Sequence, residues 1–320
     1  MATTITGLRR QIASARDLKS VVRTMKASAA SAIGQYERSV AALADYARTV
    51  ERGLSVSLRA LAPQGPELHI GQARHENERL VQALIFGSDQ GLVGRFNEAV
   101  VDHALAALAL AKTTTSARIW TVGERAHARL VDAGRVPAGA FPVPASAALI
   151  TELVTQILQS VPLPDGTTAV PSQQQRLMLF YNRPEGASYA PVSQQLLPLD
   201  EHWQRELASR PWPKAGDRDG AEQRFSPLPE VLGSAPQALG AFIREHLFVS
   251  LFRASAESLA SENASRLAAM QRADRNIGEL LQDLQARFHQ LRQAGIDEEL
   301  FDVIAGFDAL LPNTTTRTAP

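Results

Sequence analysis

SENASRLAAMQRADRNIGELLQDLQARFHQL (residues 261–291) contains no proline and a single glycine, and its apolar residues follow a coiled-coil rhythm. Leu267, Met270, Ile277, Leu281, Leu284, Phe288 and Leu291 recur in threes and fours, with one doubled step across Asp274. Asn263 and Asp274 are polar interruptions of the kind that fix register at some cost in stability. The stretch predicts a long helix with a seam for another helix.

The surroundings enlarge that helix and supply its partner. Proline is absent from 1 to 62 and again from 237 to 311, while all but two of the 18 prolines lie between Pro63 and Pro236. Proline breaks helix interiors by removing a donor and clashing with the preceding turn, so both tracts permit unbroken helices. In the first tract Ala29, Ile33, Tyr36, Val40, Leu43, Ala47, Val50, Leu54, Leu58 and Leu61 repeat the same spacing, preceded by Ile5, Leu8, Ile12, Val22 and Met25. Gly53 reads as a weak point, costing about 1 kcal/mol against alanine. About 55 helical residues span roughly 80 Å and about 70 span roughly 105 Å. Two such rods at opposite ends of one chain predict an antiparallel coiled coil. The small-residue run KASAASAI (26–33) fits either a tight helix crossing or a plain alanine-rich helix.

The middle predicts a small, mostly parallel α/β domain. Buried strands are expected at Leu80–Ser88, Ala117–Gly123 and Arg176–Asn182, with a fourth at Gln195–Leu199. Helical patterns lie between them at Phe96–Ala111, Glu124–Ala133 and Ala145–Ser160. Pro211–Pro229 reads as an exposed loop and 312–320 as a flexible tail. The expected division is therefore 1–62 for the first coiled-coil helix, 63–225 for a Rossmann-like α/β domain and 226–311 for the second helix.

Composition excludes several function classes. The 320 residues contain no cysteine, which removes disulfides, thiolate metal sites and thiol switches. Formal net charge is zero, which disfavours a nucleic-acid binder. No apolar run approaches a bilayer span, and no secretory signal pattern opens the chain. The first 38 residues are locally basic: Arg9, Arg10, Arg16, Lys19, Arg23, Lys26 and Arg38 face only Asp17 and Glu37. A solvated face or an acidic partner accounts for such a bias.

Candidate sites are few. GSDQGLVGRFN (87–97) is a glycine-bearing turn between a strand and a helix, where backbone amides sometimes cradle phosphate. It lacks the lysine and hydroxyl of a P-loop, the spacing of a dinucleotide fingerprint and the frame of a nucleophile elbow, so it reads as a structural turn. The seven histidines (69, 75, 103, 127, 202, 246 and 289) never pair at the spacing of a helical zinc site. Glu298, Glu299 and Asp302 read as a solvated or partner-facing stripe. Leu300, Phe301, Val303, Ile304, Phe307, Leu310 and Leu311 spread around nearly the whole helix, which demands burial. Either that end folds back on its own chain or it enters a partner's apolar sleeve.

These stretches together resemble the gamma subunits of F-type ATP synthases. SENASRLAAMQRADRN (261–276) is similar to the family's carboxy-terminal signature at Ser261, Glu262, Ala264, Arg266, Ala269, Met270, Ala273 and Asn276. VVRTMKASAAS (21–31) resembles the amino-terminal helix motif, GSDQGLVGRFN the strand-end turn, and SQQLLPL (193–199) the last strand of the middle domain. Gln90, Val93 and Arg95 depart from the usual arginine, cysteine and glycine, and Lys26 stands where an acidic residue is common. The likeness is to a divergent branch.

The resemblance implies a central-stalk rotor with no active site or cofactor of its own, whose middle domain binds no dinucleotide. It implies a hexamer of alpha and beta subunits around the tip, with an epsilon subunit and the membrane c-ring at the foot. Nucleotide turnover on the hexamer would be coupled to proton or sodium transport. Met25 matches the position that touches a beta-subunit lever loop, and Arg292 and Gln293 match the pair that bonds a catch loop. Arg23 and Lys26 are expected to meet beta carboxylates. Leu300, Phe301, Val303, Ile304, Phe307 and Leu310 would sit in the hexamer's apolar bearing. The expected location is the cytoplasmic face of a bacterial inner membrane, without insertion. Two alternatives stand beside this reading: a small α/β nucleotide-binding protein and a free-standing coiled-coil scaffold.

Overall fold

The computed structural model describes residues 4–61, 80–110, 117–162, 175–186, 188–210 and 230–310. The expected loop at 211–229 and tail at 312–320 lie outside the described residues. The elements in chain order are α1 (Ile5–Leu61), β1 (Leu80–Phe86), α2 (Phe96–Leu110), β2 (Ala117–Val122), α3 (Glu124–Asp132), β3 (Gly139–Phe141), α4 (Ile150–Ser160), β4 (Gln175–Glu185), β5 (Ser188–Leu197), α5 (Glu201–Ser209) and α6 (Ala235–Leu310). Among the described residues no helix is long and apolar enough to cross a membrane. Two compact units divide the chain, one made of 1–27 with 268–320 and the other of 28–267.

The smaller unit is a helix pair. Leu8, Ile12 and Ala15 of α1 bury against Leu284 of α6, with Ile277, Leu281 and Phe288 packed beside them. The pairing is antiparallel: Arg9 lies 5.4 Å from the centre of the Phe288 ring, and Lys26 reaches Asp274, as the seam spacing predicts. Asp274 occupies the seam position where an apolar residue is missing. Leu291, the last predicted seam residue, is exposed.

The larger unit holds a five-stranded sheet in the order β3-β2-β1-β4-β5. The first four strands run parallel and β5 returns antiparallel to β4. β1 is an almost unbroken apolar run because both of its faces are covered. Val81, Ala83 and Ile85 point to α2 and α3, meeting Val100, Val101, Ala104 and Leu130. Leu84 and Phe86 point the other way, into a core shared with α4 and the α1 and α6 segments of this unit. In β4, Phe180 joins the first layer while Leu177, Leu179 and Tyr181 join the second, as the two-residue strand period requires.

Several elements differ from the sequence expectation. β3 and α5 carry no strong periodic signal: β3 is three residues long, and α5 is started by Asp200, whose carboxylate accepts from the Trp203 amide at 2.8 Å. β5 begins seven residues before the expected Gln195. Its first half is only partly buried and contains Pro191, which an edge strand tolerates. The segment expected to be helical from Ala145 begins with a short 3-10 turn, and its α-helix starts at Ile150.

Gly53 requires a correction. A β-carbon there would stand 2.1 Å from the Phe242 ring, so this glycine permits close packing of α6 on α1 rather than weakening the helix.

Candidate partner-binding sites

The turn at 87–97 is filled by the chain itself. Ser88 donates its amide to Asn97 Oδ1 at 2.9 Å, and Asn97 Nδ2 donates back to Ser88 Oγ at 2.9 Å. The Asp89 carboxylate accepts from the amides of Glu124 at 2.8 Å and Val143 at 2.9 Å. It therefore covers the start of α3 and ties the turn to the neighbouring helix. Gly87 admits this closeness, since a β-carbon would meet that of Ala126 at 2.4 Å. The turn is a structural joint, as its lack of nucleotide motifs suggests.

The signature stretch is likewise a seat inside the fold. Ser261, Glu262, Asn263 and Met270 are buried. Arg266 donates to Glu262 Oε1 at 2.6 Å and to Asn263 Oδ1 at 3.2 Å. Burial raises the Glu262 carboxyl above its ordinary range, although Arg266 pulls it down, and the nearby charge of Asp89 adds to the rise. Burial also raises the Tyr36 phenol, with Glu262 adding to the effect.

On α1, Arg23 and Lys26 share a partner within their own chain. Lys26 Nζ donates to Asp274 Oδ2 at 3.2 Å, and Arg23 approaches Oδ1 at 3.9 Å. The Lys26 hydrogen bond, above all, holds Asp274 below the usual carboxylate range. The Arg23 side chain stays 65% exposed, so a second carboxylate has access to it. Met25 is half-buried. Leu18 and Val21, three residues apart on the same helix, are exposed apolar side chains that the sequence reading missed. Their signal was available as apolar residues lying off the seam.

At the far end of α6, Arg292 and Gln293 are exposed. Leu300, Phe301, Val303 and Ile304 are 56%, 69%, 70% and 47% exposed, so the described residues do not cover them. The side chains of Phe307 and Leu310 lie outside the described residues. Four large apolar groups left in water on one helix turn form a patch that calls for a partner.

Among the described residues no three histidines or carboxylates gather in a way that suits a metal ion. His103 packs on Phe180, His246 on Trp203 and His289 on Phe288. A cleft of about 300 Å³ lies between α1, β5, α5 and α6. Of its carboxylates, Asp200 caps α5 and Glu51 pairs with Arg210, and no glycine-rich loop lines it.

A doubly covered α/β sheet carried on two long helices, with an uncovered apolar tip, defines a class of protein completed by its partners. The family model described as ATP synthase matches residues 4–310. The ATP synthase gamma chain of Magnetococcus marinus is 26% identical over 326 residues, covering 95% of this chain and 97% of that one. Two solved structures share the fold. One is the rotor of the Euglena gracilis mitochondrial ATP synthase, with 18% identity and a TM-score of 0.53, covering 92% of this chain and all of that one. The other is a chain of the OSCP/F1/c-ring assembly of the same enzyme, with 17% identity, a TM-score of 0.56 and full coverage of both chains. The chain belongs to the ATP synthase family, among its gamma chains.

Proposed function

We propose that this chain is the central-stalk rotor of an ion-translocating ATP synthase, coupling nucleotide turnover on an alpha and beta hexamer to ion flow through a membrane c-ring. The uncovered tip of α6 carries this reading. Its apolar girdle fits a hydrophobic bearing in the hexamer, while Arg292 and Gln293 lie where a beta catch loop would be held. Arg23, with Met25 and Lys26, faces a beta lever loop, and Arg23 is the cation most open to a beta carboxylate. Epsilon and the c-ring attach at the foot, on the cytoplasmic face of a bacterial inner membrane.

On this reading catalysis takes place on the neighbours, and this chain supplies asymmetry. One lopsided rod inside a near-threefold ring touches each beta subunit differently. It biases open against closed states only through the difference in contact free energy between them. Rotation hands each set of contacts to the next site. The domain division at 62, 225 and 311 matches these roles: two helices for the axle and one domain for the foot.

The test is co-expression with alpha and beta subunits. A stable complex with ATPase activity is expected, and removing residues 292–320 should abolish that activity. A chain that stays apart from alpha and beta, or activity indifferent to the truncation, overturns the reading.

A further inference from the structure

The face that α6 turns to the α/β domain is smooth. Ala254, Ser258 and Ser261, on the same side of the helix as Ser265, are nearly fully buried, and the hydroxyls of Ser258 and Ser261 have no hydrogen-bond partner. Small side chains allow close approach but offer few interlocking knobs. Apolar contact is also non-directional, so it resists separation better than sliding or rolling.

Two directional ties cross this smooth contact. Ser265 Oγ donates to the Val93 carbonyl at 2.6 Å. Tyr189 of β5 lies near the same serine. The tyrosine ring stands edge-on to Phe96, the first residue of α2, at 5.3 Å. About two helical turns earlier, Glu257 of α6 pairs with Arg183 of β4 at 3.2 Å, and Arg183 also donates to the Tyr181 hydroxyl at 2.7 Å.

The backbone at the first tie is strained. Val93 lies between Leu92 and Gly94, both left-handed at φ 64° and 60°. Leucine adopts this conformation only against a steric penalty, and the exposed Leu92 side chain gains little packing to offset it. The turn is held from outside, and Ser265 is one of the groups holding it.

We propose that Ser265 and Glu257 are positioning residues that pin the α/β domain against sliding and rolling on α6. This rests on the reading of the chain as a rotor, in which load applied to that domain must reach the axle without slip. Burial of the smooth face holds the domain on; the two polar ties hold it in register.

The test uses the complete membrane complex and the detached alpha–beta–gamma complex, with Ser265→Ala and Glu257→Gln combined. ATP hydrolysis by the detached complex, where the domain bears no load, should stay within about twofold of the parent. Ions pumped per ATP into vesicles by the complete complex should fall by about threefold or more, the scale expected when weak polar ties are lost. Ser265→Thr, which keeps the hydroxyl, should restore most of the pumping lost in Ser265→Ala. Unchanged pumping in the double variant overturns the proposal, and so does an equal fall in hydrolysis and pumping, which marks a merely structural role. Failure of the parent chain to join alpha and beta sinks the rotor reading instead, so the two failures are distinguishable.

Discussion

Lys26 and Asp274, 248 residues apart in sequence, meet at 3.2 Å and join the two helices of the smaller unit. The pair closes the gap that Asp274 leaves in the apolar seam. It also sets the register by charge, since a slip of one helical turn would separate the two groups.

Exchanging these charges should therefore be tolerated, whereas reversing one should not. Lys26→Asp places like charges together and should lower the melting temperature by about 2 °C, a small effect because the pair is open to solvent. Adding Asp274→Lys should recover most of the loss, and salt at about 1 M should shrink the difference. Asp274 is held below its unfolded range, so its contribution is present above the unfolded carboxylate pKa and is lost as pH falls through the folded one. Thermal melts of the four proteins across pH decide the matter; additive single effects would refute the pairing.

Gly53 and Gly34 should respond in opposite ways to alanine. Both lie within α1, where alanine is favoured over glycine by about 1 kcal/mol. At Gly34 the nearest obstacle to a β-carbon is the tip of Arg38 at 3.4 Å, so Gly34→Ala should stabilise by about 0.5–1 kcal/mol. At Gly53 the Phe242 ring must move, and overpacking of this kind costs about 1–3 kcal/mol, so the net change should be a loss of about 1 kcal/mol. Urea denaturation of each variant would show the signs. Stabilisation by both would mean that the ring swings aside without cost.

The buried Glu262–Arg266 pair predicts a pH-dependent mutant. Arg266→Met leaves a carboxylate with little access to water and should cost about 3 kcal/mol near neutrality. Burial already raises the Glu262 pKa, and loss of the guanidinium raises it further. An acid whose folded pKa is raised favours the folded state when protonated, and that advantage is lost as pH climbs through the folded value. The penalty should therefore be smaller at about pH 5 than at about pH 8. Equal penalties, measured by urea midpoints at both values, would show that Glu262 does not feel the missing charge.

Phe301 and Val303 separate folding from assembly. Both are more than two-thirds exposed, so Phe301→Asp with Val303→Asp should change the stability of the isolated chain by less than about 0.5 kcal/mol. The same changes should weaken association with alpha and beta by tenfold or more, on the order of 1.4 kcal/mol, because they place charge in an apolar sleeve. Calorimetry on the isolated chain and titration with the hexamer separate the two effects. A destabilised chain would show that the tip is covered by its own fold.

Much of the α/β domain was readable because its signals are local. Leu80–Phe86 is apolar but for Gln82, as suits a strand covered on both faces, and the seam residues of both helices repeat at helical spacing over spans free of proline. The missed pieces lack such signals. β3 is held by pairing with β2, the first half of β5 by pairing with β4, and α5 by one capping aspartate. None of these shows a hydrophobic period along the chain.

Sequence by itself determined two long helices, a mainly parallel sheet between them and an apolar tip in need of cover, because each follows from proline placement and side-chain period along neighbouring residues. Tertiary structure alone decided that Gly53 admits a phenyl ring, that Asp89 reaches from its turn to the start of α3, and that Lys26 faces Asp274. It also decided that Ser265 catches the carbonyl of Val93. These are contacts between residues far apart in the chain, and their energies depend on distances that no local pattern encodes.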